Sequence, residues 1–310
     1  MSFRRPEIIR PPSEAGSYFL PLTSGCSNST CTFCGYHSSK LQMRDLDDVR
    51  REIDALALYM TSGVYAAGVP DIVYSIARGW DGKRVFLQDG DALVYPLRKL
   101  YEVLEHINES LPFVDRISAY ATPQDILRID AGHLEQLKKL KLGILYMGLE
   151  SGDDEVLRRM AKGVNAKQIV EAGRRAKEAG ILTSVTVILG LGGVEGSARH
   201  ALETSRVLSE MDPDYAGALT LVLIPGTPLY EEWKQGTFRL ISPIESLKEL
   251  VTIIEHSSFT SCFFSSMHAS NYFAVRGRLA RDKRKMIGQL ERVIAEGDAS
   301  SLRPESLRGL

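Results

Sequence analysis

From residue 17 to residue 233 the chain alternates short apolar runs with longer amphipathic ones. The apolar runs cover residues 17–23, 84–88 (RVFLQ), 116–120, 143–149 (GILYMGL), 182–189 and 216–223. Between them, residues 45–59, 97–107, 133–141, 166–179 and 196–210 read as helices; Val49, Ile53 and Leu56 mark one apolar face among Arg, Glu and Asp. Gly180 stands where a helix over 166–179 needs its C-terminal glycine. Short apolar strands alternating with amphipathic helices mean βαβ units and a parallel sheet. The fold class is therefore α/β, an open or partly closed barrel of six such units. Sites in parallel α/β sheets form at the C-terminal ends of the strands. The loops after each strand are where chemistry is expected.

Two regions leave this rhythm. Residues 62–83 are an insertion, and residues from about 235 onward form an extension. The extension reads as a helix over 244–256, an irregular stretch, a basic helix over 281–296 and a loose Ser/Arg/Pro-rich tail over 297–310. The expected division is an N-terminal arm (1–16), a core (17–233) and a mainly helical or irregular extension (234–310) that sets the substrate. A hydrophobic fraction of 44% with 25% charged residues suits a globular enzyme. The net charge of −1 argues against non-specific nucleic-acid binding by the chain as a whole. Residues 1–12 have no apolar h-region, and no run reaches ~18 apolar residues, so neither a signal peptide nor a membrane span is expected. Four cysteines, three of them together and Cys262 far away, make no disulfide framework; a reducing cytoplasm is expected.

Those three, Cys26, Cys31 and Cys34, fall within nine residues in the loop after the first strand. Thiolates bind soft metals, chiefly zinc and iron–sulfur clusters. Zinc asks for a fourth ligand, and His37 is near in sequence. A cubane cluster held by three thiolates leaves one iron open. Three readings stand at this point: an enzyme that uses the open iron, a zinc-stabilised binding protein, and an iron–sulfur electron carrier. No Gly-x-Gly-x-x-Gly with a downstream acid and no phosphate-binding P-loop is present.

The pattern Cys26-x4-Cys31-x2-Cys34, with Phe33 before the last cysteine, resembles the cluster loop of radical S-adenosylmethionine (SAM) enzymes, whose common form has three residues between the first two cysteines. The resemblance runs over roughly residues 17–233 and is to the branch with oxygen-independent coproporphyrinogen oxidases and elongator-like proteins. Later loops carry it too: Gln88-Asp89-Gly90-Asp91 after the second strand, Gly148-Leu149-Glu150-Ser151-Gly152 with Arg158 after the fourth, and Leu189-Gly190-Leu191-Gly192-Gly193 after the fifth. It implies a partial TIM-like barrel, an oxygen-sensitive [4Fe–4S] cluster on the three cysteines, and SAM as second cofactor. It further implies SAM contacts from Phe33, Asp89, Gly90, Asp91, Glu150, Ser151, Arg158, Leu189 and Gly190. Reduction of the cluster, by a partner such as flavodoxin or ferredoxin, would split SAM to a 5′-deoxyadenosyl radical that takes hydrogen from a substrate. A small-molecule substrate is the first expectation and a tRNA or peptide the alternative. Nothing resembles a cobalamin domain ahead of the cysteine loop, and no second cysteine cluster points to an auxiliary centre. In the extension, Cys262 and His268 are candidates for a hydrogen-atom donor or an acid/base group, against the plainer reading of a buried thiol and a structural imidazole.

Overall fold

The computed structural model describes residues 3–297 and 302–309. The chain divides into two compact units: Met1–Ser29, Ser38–Tyr146 and Glu178–Leu182 form unit 1, and Thr30–His37, Met147–Lys177 and Thr183–Leu310 form unit 2. The division passes through the cysteine loop, so Cys26 belongs to unit 1 and Cys31 and Cys34 to unit 2.

Unit 1 carries β1 (Tyr18–Pro21), β2 (Thr23–Ser24), β3 (Gln42–Met43), α1 (Leu46–Ser62), α2 (Asp71–Arg78), β4 (Arg84–Gln88), α3 (Leu97–Ser110), β5 (Arg116–Tyr120), α4 (Pro123–Arg128), α5 (Ala131–Lys139) and the start of β6 (Leu142–Glu150). β1 pairs in parallel with β4, β4 with β5, and β5 with β6. Leu20, Phe86, Ile117 and Leu145 are all buried, as strands covered on both faces require. α1 starts because the Asp45 side chain accepts from the Asp47 N–H, and it stops at Gly63, whose φ of 71° is left-handed. The 62–83 insertion contains α2. The expected helix over 133–141 begins instead at Ala131, after a separate α4 capped by Thr122. The N-terminal arm is tied down. Arg5 and Arg44 pair with the buried carboxylate of Glu52, which also accepts from the Tyr18 hydroxyl.

Unit 2 holds the end of β6, then α6 (Asp154–Arg159), α7 (Ala166–Glu178), β7 (Leu182–Leu189), α8 (Gly193–Met211), β8 (Tyr215–Thr220), α9 (Pro228–Lys234), α10 (Pro243–His256), β9 (Phe263–Ser265), β10 (Arg276–Arg278) and α11 (Lys283–Glu296). β7 pairs with β8 and β8 with β9 in parallel; β10 returns antiparallel to β9. The stretch expected to be irregular therefore adds two strands to the sheet. Phe264 is fully buried there, and β8 supplies the edge hydrogen bonds a three-residue strand cannot supply itself. The tail is likewise not loose over 302–309. Arg308 donates to the carbonyls of Ser270 (2.6 Å) and Leu221 (2.8 Å), and its guanidinium lies 4.1 Å from the Tyr272 ring centroid. Residues 298–301 and 310 of that expectation lie outside the described residues. α10 packs on both α8 and α11. Among the described residues no helix is long and apolar enough to cross a membrane.

Candidate functional site

The cysteine loop begins where β1 ends, and in unit 1 its start is braced by the end of β4. Asp89 accepts from the Gly25 N–H at 3.0 Å. Asp91 is completely buried and accepts from the Ser27 hydroxyl at 2.6 Å and the Leu93 N–H at 3.0 Å. Burial pushes the Asp91 carboxyl up to about 6. Gly90 is required by a close approach: a Cβ there would stand 3.0 Å from the Gly25 carbonyl and 3.2 Å from the Cys26 Cβ. The side chains of Asp89 and Asp91 thus hold the loop that carries Cys26.

In unit 2, Cys31, Cys34 and Phe33 sit in an apolar cluster with Val156, Met160, Leu191, Leu221, Leu229 and Phe238. The segment is pinned through Thr32, whose N–H donates to the Met160 carbonyl and whose own carbonyl accepts from Leu229, both at 3.0 Å. Burial pushes the Cys31 thiol up to about 11 and raises Cys34 as well. Lys162 opposes the rise at Cys31 and Glu150 adds to it, so this ion pair lies within electrostatic reach of the thiols. The Tyr36 N–H points at the Cys34 sulfur, 3.5 Å away. His37, the possible fourth zinc ligand, places Nδ1 3.2 Å from the Cys31 carbonyl oxygen. Among the described residues no three His, Cys, Asp or Glu side chains stand together as a ready-made metal site.

The end of β6 is the most constrained part of unit 2. Glu150 has a left-handed φ of 63°, an uncommon conformation for a residue with a side chain and one met at ligand-binding turns. Its carboxylate folds back over Gly148, where a Cβ would overlap it, and meets Lys162 Nζ at 2.9 Å. Both members of the pair are largely buried, at 9% and 12% side-chain exposure, so the ammonium is fixed rather than solvated. Ala161 (φ 50°) and Gly163 (φ 77°) turn the chain so that Lys162 points back to the strand end. Lys162 belongs to none of the sequence motifs. It lies outside the Glu-Ser run and on no periodic face, so only this turn reveals it. Arg158, the basic residue of the motif, is 74% exposed and pairs with Glu155 one turn earlier on α6. Ser151 is fully buried; its Oγ accepts from the Asp153 N–H at 3.0 Å and lies 2.8 Å from His200 Nδ1. Gly152 lets α8 come close: a Cβ there would overlap the Glu203 carbonyl.

Leu189 is buried at the end of β7, and Gly190 follows it at φ 81°. The Gly190 N–H donates to Glu249 of α10 at 2.7 Å. In the extension, Cys262 is inaccessible and burial pushes it up to about 12, which suits a packing thiol. His268 lies 2.9 Å from the Ser270 hydroxyl through Nδ1, and burial lowers its proton affinity.

Several known proteins share this architecture. Coproporphyrinogen III oxidase (HemN) from Escherichia coli superposes with a TM-score of 0.52 at 18% identity, covering 77% of this chain and 52% of that one. Elp3 from the archaeon Methanocaldococcus infernus superposes with a TM-score of 0.51 at 15% identity, covering 73% and 57%. In sequence, the heme chaperone HemW of Bacillus subtilis is 21% identical over 79% of this chain and 64% of its own length. A tRNA-2-methylthio-N(6)-dimethylallyladenosine synthase of Hahella chejuensis is 29% identical over 70% of this chain and 46% of its own. The chain thus spans about half to two thirds of the length of these curated relatives. The fold is the α/β, partial (β/α)6 TIM-like barrel expected from the alternation, with a C-terminal extension. Residues 20–204, well over half of the chain, match the Radical SAM superfamily. That span takes in the cysteine loop and the ends of β4, β6 and β7, and the chain belongs to the radical SAM superfamily.

Proposed function

We propose that this chain is a radical SAM enzyme that holds a [4Fe–4S] cluster on Cys26, Cys31 and Cys34, binds SAM over the ends of β4, β6 and β7, and abstracts hydrogen from a small-molecule substrate. The family implies SAM and an iron–sulfur cluster, and the donor set fits both. Soft thiols suit iron–sulfur ligation. Cys31 is buried in an apolar cluster and Cys34, partly buried, packs against it with an N–H aimed at its sulfur. Because burial keeps these thiols protonated, ligation releases protons and is favoured by higher pH. When bound, the cluster supplies the electron that cleaves SAM to methionine and a 5′-deoxyadenosyl radical.

The observation that carries the reading is the buried Glu150–Lys162 pair beside the two thiols. An acceptor for an amine or a ribose hydroxyl and a donor for a carboxylate stand side by side, which matches the amino-acid end of SAM. In this reading Lys162 takes the carboxylate role first expected of Arg158. Ser151 and Gly190 shape the strand ends, Phe33 and Leu189 close the apolar side, and the backbone about Gly90 accepts from the ammonium. A reductant such as flavodoxin or ferredoxin supplies electrons. An RNA substrate is the second reading; what favours it is the likeness to the tRNA synthase, which covers 70% of this chain.

The test is anaerobic reconstitution of the whole chain with iron and sulfide. About four irons per chain are expected, with 5′-deoxyadenosine released from SAM under a strong reductant. Replacing Cys26, Cys31 or Cys34 by Ala should abolish both. Stoichiometric zinc in place of iron, or a full cluster with no SAM binding, would refute the proposal.

A further inference from the structure

We propose that His200 and Glu249, two buried residues on helices behind the strand ends, act together as positioning residues that lock Ser151 and Gly190 in place for SAM. The proposal rests on the reading above, that SAM lies over the ends of β6 and β7.

Both side chains come from helices behind the strand ends. His200 of α8 is fully buried and reaches the end of β6, with Nδ1 2.8 Å from Ser151 Oγ. Glu249 of α10 is 3% exposed and reaches the end of β7, where it accepts from the Gly190 N–H at 2.7 Å. The two meet in the middle, His200 Nε2 standing 3.9 Å from the nearer Glu249 oxygen. Two neutral side chains in packing contact, rather than a hydrogen-bonded or ionic pair, thus stand behind two adjacent strand ends, one of them on the extension helix α10. Those strand ends are where small errors matter. Gly190 has a left-handed φ, and its N–H is held by Glu249. Ser151 follows Glu150, whose own φ is left-handed.

A purely structural role would be filled better by apolar residues. His200 Nε2 and Glu249 Oε1 are both buried without a well-formed hydrogen bond, although the Ile188 backbone lies close to the imidazole and the Ser197 hydroxyl close to the carboxyl. Such open polar atoms cost stability that Leu or Met of similar volume would not. Burial also keeps His200 neutral down to unusually low pH, against the influence of Asp153, and Glu249 protonated up to unusually high pH, against its bonds from Ser197 and the Gly190 N–H. Arg199 is taken by Asp153 at 2.6 Å, so it offers Glu249 no counter-charge. The arrangement is costly for the fold and useful for orientation, as expected of groups that act through others.

The deciding experiment compares the reconstituted wild-type chain with His200→Leu, Glu249→Leu, the double variant, and the conservative His200→Asn and Glu249→Gln. Iron per chain, thermal midpoint and SAM Kd by equilibrium dialysis are measured for each. Each Leu variant should keep its iron and a midpoint no lower than that of wild type while SAM Kd rises about tenfold, the weight of one hydrogen bond in a binding site. The double variant should lose about as much as one single variant, since the two act as one unit. Glu249→Gln, which can still accept from the Gly190 N–H, should bind SAM within about threefold of wild type. Unchanged Kd in the Leu variants overturns the proposal, as do independent, multiplying losses in the double variant. If the Leu variants do not fold, a tenfold loss in Glu249→Gln overturns it and retained affinity there with loss in His200→Asn upholds it. Wild type that loads iron yet binds no SAM refutes the SAM site itself, and this proposal with it.

Discussion

A lysine and an arginine four residues apart separate what a motif suggests from what a fold delivers. Arg158 sits in the run after Glu150-Ser151 and has the right chemistry for a carboxylate, but a helix carries it into solvent beside Glu155. Lys162 has no motif to announce it, yet a turn through Ala161 and Gly163 returns it to Glu150. An exposed, already paired guanidinium contributes little to orientation, whereas a fixed buried ammonium does. Lys162→Ala should therefore raise the SAM Kd of reconstituted enzyme by about tenfold or more, while Arg158→Ala shifts it by less than about threefold. Equal losses in equilibrium dialysis would return the carboxylate role to Arg158. The same contrast holds at Asp89 and Asp91. Their place at a strand end was legible; that both carboxylates turn inward to Gly25 and Ser27 was not.

Among elements, those that speak for themselves are the ones with enough residues to show a period. The strands at 84–88, 116–120 and 182–189 stand where the apolar runs place them, and α7 ends just before Gly180. Short pieces do not speak this way. β9 and β10 have three residues each and exist because β8 offers them an edge. α4 is six residues long and depends on the Thr122 cap and on the burial of its own Asp125 and Ile126. Close packing between elements is also hidden in the letters, because a glycine beside a strand end can mean a turn or a contact. At Gly152 it means a contact with the backbone of α8. Gly152→Ala should destabilise the protein by about 1–3 kcal/mol, the usual cost of overpacking, read as a lower denaturant midpoint at unchanged slope. Gly132→Ala, where a Cβ meets nothing, is the control.

For the whole molecule, stability against pH should carry the signature of two buried groups. His200 is held down to about 4 from an ordinary 6.5, and Glu249 up to about 7 from 4.5, both by burial. Between pH 4 and 6.5 the unfolded chain binds the extra proton at His200, so stability rises with pH. Between 4.5 and 7 the folded chain keeps the proton at Glu249, so stability falls with pH. The two slopes oppose each other from 4.5 to 6.5. Relative to wild type, His200→Leu should gain stability as pH falls from 6.5 towards 4, and Glu249→Leu should gain it as pH rises from 4.5 through 7. Thermal midpoints across this range check both signs, and parallel curves for all three proteins would refute them. The sequence by itself determined the βα alternation, the α/β class and the three-thiol loop at a strand end, because periodicity and spacing are local properties of the chain. Through the runs about Glu150, Ser151 and Gly190 it also carried a family resemblance that raises the expectation of a cofactor surface at those strand ends. Only the tertiary structure decided that Lys162 and not Arg158 meets Glu150, that the extension adds strands and docks its tail through Arg308, and that His200 and Glu249 meet behind the strand ends. Those choices depend on which distant backbones and burial environments come together, and no local pattern encodes them.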